Sequence, residues 1–170
     1  MLPTPPAWGF SIFCDDIRQE LHGKYSIIGV YASDLIFEGN FPLIIPKLGI
    51  VVKYYERADT KFSSDVILSV HMPSDADRPQ SISKTIPRSA FASTPIDEAM
   101  PMHNGDDVVP MVSITVPFLL SPVFINSGGR IKVRATVGDE VVRLGTLIIR
   151  QAKEDESKAL LADASQQTKS

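Results

Sequence analysis

One cysteine, one tryptophan and three histidines among 170 residues leave few of the groups on which metal and nucleophile chemistry depend. Cys14 cannot close an intrachain disulfide, and the apolar run around it suits a small hydrophobe. With no positive charge or ligand pattern beside it, a packing role is expected rather than a reactive thiol. His22, His71 and His103 are scattered, with none of the His-x-x-His, His-Glu-x-x-His or Cys/His spacings that hold zinc. Neither a metal nor a cofactor is therefore expected. A Gly-x-Ser-x-Gly nucleophile elbow is missing, and the NSGGR run ending at Arg130 lacks the Lys-Ser/Thr close of a phosphate loop. Long apolar runs are missing too, none nearing the roughly 18 residues that a membrane helix needs. The opening MLPTPPAWGF has neither the basic stretch nor the continuous apolar stretch of an export signal. A soluble cytoplasmic protein with no membrane partner is expected. The net charge of −3 argues against a main affinity for nucleic-acid phosphates, which calls for a clustered basic face.

What the chain does have is an ordinary globular composition, 44% hydrophobic and 22% charged. At this length a self-sufficient core needs no staple. The chain divides into one domain over residues 1–151 and a polar tail over 152–170, where the pattern of the domain is lost apart from an apolar cluster at Ala159 to Ala162. Within the domain, runs of β-branched and aromatic residues recur between turn-forming residues, in the manner of an all-β fold. Strands are predicted near Trp8–Asp15, Tyr25–Ser33, Leu48–Tyr55, Asp65–His71, Met111–Leu120, Arg130–Val137 and Val141–Arg150. Most of the thirteen prolines fall between these runs, where the lack of an N–H donor costs nothing.

The last two runs are separated by Gly138-Asp139, a signal for a two-residue hairpin turn. That turn sets Val137 opposite Glu140, Ala135 opposite Val142, Val133 opposite Leu144 and Ile131 opposite Thr146, with the apolar set on one face. Lys132, Arg134 and Arg143 then share the other face, and the two arginines oppose one another directly. Like charges so placed repel by a few tenths to about 1 kcal/mol, so an anion is expected nearby. Glu140, Asp139, an opening-segment carboxylate, or an acidic partner surface would each supply it.

Asp15 to Lys24 admits two structures. Asp16 with Gln19 resembles a capping box and Gly23 a helix stop, while His22-Gly23 would equally serve as the tip of a long hairpin. Residues 73–110 are poor in periodicity, so they are expected to form a long loop suited to binding, with a short strand around Gln80–Ile86. His103-Asn104-Gly105-Asp106-Asp107 within it predicts a tight turn.

The segment Phe13 to Tyr31 resembles the opening of a family of bacterial and phage β-sandwich proteins, with the form F-C-D-D-I-R-x-E-x-x-G-K-x-S-x-I-G-x-Y. Phe13, Cys14, Asp15, Asp16, Ile17, Arg18, Glu20, Gly23, Lys24, Ser26, Ile28, Gly29 and Tyr31 match it. Phe41-Pro42, Pro46-Lys47-Leu48 and the Leu144 to Leu147 run agree as well. The resemblance implies a two-sheet sandwich, immunoglobulin-like or C2-like, and with the runs above the expectation is an all-β antiparallel sandwich of about seven to nine strands. It favours the hairpin for Asp15 to Lys24, allows a phage or prophage origin with a virion location, and implies no activity.

On a strand, Asp15 and Asp16 point to opposite faces, which suits structural pairing with Arg18 or Lys24 better than acid/base work. Asp75-x-Asp77 begins like a calcium loop, but Arg78-Pro79 follows and no spaced Glu completes it. The expectation is a non-enzymatic interaction or assembly module with a protein partner or a second copy. Its candidate contact residues are Lys132, Arg134, Arg143, Asp15, Asp16 and Arg18. The alternative is a ligand- or cation-binding sensor using the loops at one end of the sandwich.

Overall fold

The computed structural model describes residues 6–60, 62–75, 82–92, 100–104, 107–153 and 156, with the backbone alone at 92, 100–104, 107 and 108. The strands are β1 (Ala7–Gln19), β2 (Tyr25–Val30), β3 (Asp34–Phe37), β4 (Leu43–Ile45), β5 (Leu48–Arg57), β6 (Val66–His71), β7 (Ile82–Ile86), β8 (Met100–Asn104), β9 (Asp107–Leu120), β10 (Val123–Ile125), β11 (Gly129–Val137) and β12 (Glu140–Gln151). A single helical turn, α1 (Ser89–Ala92), follows β7. One sheet runs β2-β1-β5-β9-β8 and the other β3-β12-β11-β6-β7, with a small β4-β10 ribbon beside them. The chain is thus an all-β sandwich. β3 pairs with β12 in parallel, and the other pairs are antiparallel.

Alternation places the core. Leu48, Ile50, Val52 and Tyr54 of β5 join one buried cluster with Ile131, Val133, Ala135 and Val137 of β11 and Val66, Leu68 and Val70 of β6. Burying a side chain of this size contributes roughly 1.5–3 kcal/mol. β5 is buried on its second face too, where Tyr55 lies under Trp8 at a ring separation of 4.3 Å. A strand covered on both faces reads as a nearly continuous apolar run, as LGIVVKYY does.

The opening segment forms the hairpin. β1 and β2 pair from Cys14 with Val30 to Gln19 with Tyr25, around a turn at Leu21–Gly23. His22 and Gly23 take φ of 61° and 70°, the left-handed region where glycine is unstrained. No helix is capped by Asp16, whose carboxylate is held by Lys47 and Arg18.

The closing hairpin corrects the expected register. Val137 faces Glu140, Ala135 faces Val142 and Arg134 faces Arg143, yet Val133 faces Gly145 and Ile131 faces Leu147. Leu144 is an extra residue on β12, a β-bulge, so Val133 does not oppose Leu144 and Ile131 does not oppose Thr146. The reason is apolar phase. Leu144, Leu147 and Ile149 are all buried, and their spacing of three then two cannot lie on one face of a straight strand. Gly145 suits this spot because a Cβ there would lie 3.1 Å from Cβ of Ser11 on β1.

β3, β4, β8 and β10 were not anticipated. Each is only three to five residues long. Of the long 73–110 stretch, β7 matches the expected short strand, and Asn104 pairs with Asp107, while Gly105 and Asp106 of the predicted turn lie outside the described residues. Asp75 does not face an open loop: it is buried and accepts a hydrogen bond from the Met72 amide at 2.7 Å. Asp77, the side chain of His103 and the Ala159–Ala162 cluster lie outside the described residues. At the end of the tail that is described, Glu156 folds back onto Arg150, which also holds Asp34 of β3 at 2.9 Å.

Candidate functional site

Period two along β11 sends Ile131, Val133 and Ala135 into the core, and with equal necessity sends Arg130, Lys132 and Arg134 to the outer face of the second sheet. Across the hairpin, Arg143 sits beside Arg134 as the turn chemistry predicted. The bulge then brings Thr146 opposite Lys132 on this same face. Arg130, Lys132, Arg134, Arg143 and Thr146 line a pocket of about 270 Å3 whose floor is Val133 and Gly145. On the other side of β11, His71 stands opposite Lys132 and Ser69 opposite Arg134. The Ser69 hydroxyl is 3.1 Å from Nε2 of His71. Burial, with the cations Arg134 and Lys132, pulls the His71 pKa below its ordinary value, and Asp75 opposes this.

Among the described residues the pocket's charge is not balanced locally. Seven arginines lie among the described residues, and Arg18, Arg57, Arg88 and Arg150 each pair with a carboxylate. The other three, Arg130, Arg134 and Arg143, are all in this pocket, and among the described residues no carboxylate comes within the 4.0 Å of an ion pair. Asp139 and Glu140, the near candidates for relief, do not reach them. Neither do the carboxylates of the opening segment, which belong to the other sheet.

Asp15, Asp16 and Arg18 are thus placed apart from Lys132, Arg134 and Arg143, in two separate sets of contacts. Lys47 donates to Asp16 at 2.9 Å, and Arg18 reaches the same carboxylate at 3.4 Å. The Tyr31 hydroxyl donates to Asp15, and burial together with that carboxylate pushes the phenol pKa up. Asp15 lies across Gly29, whose φ of 66° and lack of a side chain leave room for the carboxylate. Cys14 is fully buried, with a Cβ at Gly49 falling 2.7 Å from its sulfur, and burial raises its thiol pKa. A buried, protonated thiol is a packing group. The residues of the resembling motif are therefore accounted for by the hairpin they build.

Sequence reasoning missed Arg130 and Thr146. Arg130 carried a usable signal, because it continues the alternation of Lys132 and Arg134. Thr146 did not, because it reaches the outer face only through the bulge. Among the described residues no three His, Cys, Asp or Glu side chains converge as a metal site would require, and no helix is long and apolar enough to cross a membrane. No family model matches the sequence, and neither the curated proteins nor the solved structures yield a similar chain.

Proposed function

We propose that the chain is a non-enzymatic interaction module that docks an acidic protein surface on the outer face of its second sheet. The observation that carries this is the segregation of the arginines: among the described residues those elsewhere are paired, and the unpaired ones converge in one pocket. Opposed like charges weaken a sheet, so a partner that neutralises Arg134 and Arg143 gains the relief of that repulsion as well as its own contacts. Lys132 belongs to the same contact set. Asp15, Asp16 and Arg18 satisfy one another or their neighbours, which supports a folding role for them. The cation-sensor alternative gains no support from a pocket lined by positive charge, whereas a sensor for an anion is compatible with it.

The test is a binding isotherm between the intact chain and a glutamate-rich peptide at low and high salt. Arg134→Glu with Arg143→Glu is expected to weaken binding about tenfold or more, and Arg57→Glu, outside the face, to leave it within about twofold. Equal binding by all three proteins would sink the reading.

A further inference from the structure

Resting on that reading, we infer that the pocket at the β11–β12 bulge receives a phosphomonoester, the phosphorylated side chain of the protein partner. The lining offers hydrogen-bond donors from every side chain that reaches into it: the guanidinium forks of Arg130, Arg134 and Arg143, the ammonium of Lys132 and the hydroxyl of Thr146. Such a lining repels metal ions and other cations. Four positive charges in one pocket also ask for more than the single charge of a carboxylate. A phosphomonoester carries −1.5 to about −2 at neutral pH on three strong acceptor oxygens, and planar arginine forks from two strands match those oxygens pairwise.

Size narrows the ligand further. At about 270 Å3 the pocket falls just below the roughly 300–1,000 Å3 of sites that enclose whole small molecules, so it suits a headgroup on a stem. The bulge is what opens it. An extra residue on β12 re-aims the side chains after Leu144, setting Thr146 among the cations. A nucleic-acid strand fits these features less well. Its diesters carry one charge each and are best met by a track of cations, whereas these cations are gathered at one point of an acidic chain.

The experiment titrates the intact chain with four probes: a phosphoserine peptide, the same peptide with glutamate at that position, inorganic phosphate, and a single-stranded oligonucleotide. The phosphopeptide is expected to bind at least about tenfold more tightly than its glutamate counterpart, with inorganic phosphate competing weakly. Arg134→Gln and Arg143→Gln are each expected to weaken the phosphopeptide about tenfold while the unfolding midpoint stays level or rises, since each relieves the repulsion between the opposed arginines. An independent readout is His71, followed by NMR. It faces Lys132 and Arg134 from β11 and feels Asp75 from the following turn, so a bound dianion offsets the two cations and raises its pKa. Equal affinity for the phosphoserine and glutamate peptides overturns the phosphate inference and leaves the acidic-partner reading standing. Binding of neither peptide overturns both. Inorganic phosphate binding as tightly as the phosphopeptide, or the oligonucleotide binding more tightly at the same salt, overturns the assignment to a protein partner.

Discussion

Arg88 holds the most deeply buried carboxylate among the described residues. It pairs with Glu56, which is only 3% exposed at the inner end of β5, and donates to the Ser64 carbonyl at 2.8 Å and 3.0 Å. Its guanidinium plane lies over Phe91 at 4.6 Å and near Phe62 at 5.7 Å. Glu56 also accepts from the Tyr54 hydroxyl at 3.3 Å, so the core ends in a polar plug roofed by aromatic rings. Removing one partner of such a pair strands the other charge away from water. Arg88→Ala is expected to lower the free energy of unfolding by about 3 kcal/mol, read from urea denaturation. A loss near that of a surface pair, below about 1 kcal/mol, would mean that water already reaches Glu56. Nothing in the sequence marked this pair, because its members are far apart in the chain and only the docking of α1 against β5 brings them together.

At the scale of elements, the β11–β12 hairpin separates what a sequence can carry from what it cannot. The turn was legible from Gly138-Asp139, and with it the register as far as Arg134 and Arg143, because turn chemistry and period two agree over that span. Beyond Arg143 the pattern breaks phase, and a straight strand would have buried Thr146 and exposed Leu147. The long strands of the two sheets were likewise legible from their apolar runs, whereas β3, β4 and β10 are too short for periodicity to speak. The same division holds in the pocket: Lys132, Arg134 and Arg143 follow from alternation, and Thr146 follows only from the bulge. The bulge itself is testable by paired truncations. Leu147→Ala is expected to cost about 3 kcal/mol as a cavity in the core, and Thr146→Ala to stay within about 0.5 kcal/mol as a surface change. Reversed costs would restore the unbulged register and disperse the pocket.

At the scale of the whole molecule, the titrating groups fix a window of stability. Lys47 and Arg18 hold Asp16 below its ordinary carboxylate pKa, Ser33 and Arg150 do the same for Asp34, and Arg57 for Asp59, while Arg150 and the Lys153 amide lower Glu156 to about 2. A carboxylate with a depressed folded pKa contributes stability above its unfolded value, roughly 4, and that contribution is lost as pH falls through the folded value. His71 follows the same sign at a higher pH. Its folded pKa is depressed, so its contribution is complete above about 6.5 and is lost as protonation sets a charge beside Lys132 and Arg134. On the alkaline side, burial keeps the Cys14 thiol and the Tyr31 and Tyr54 phenols neutral, raising their folded pKa values. Their contributions are complete below about 8.5 for the thiol and about 10 for the phenols, and are lost above. Urea midpoints are therefore expected to be highest between about pH 7 and 8.5, with an acid limb in two steps. His71→Gln is expected to flatten the upper step and leave the lower one, which belongs to the carboxylates. An unaltered upper step in that variant would show that the step does not belong to His71, and that burial and the pocket's cations together do not depress its pKa in the folded protein.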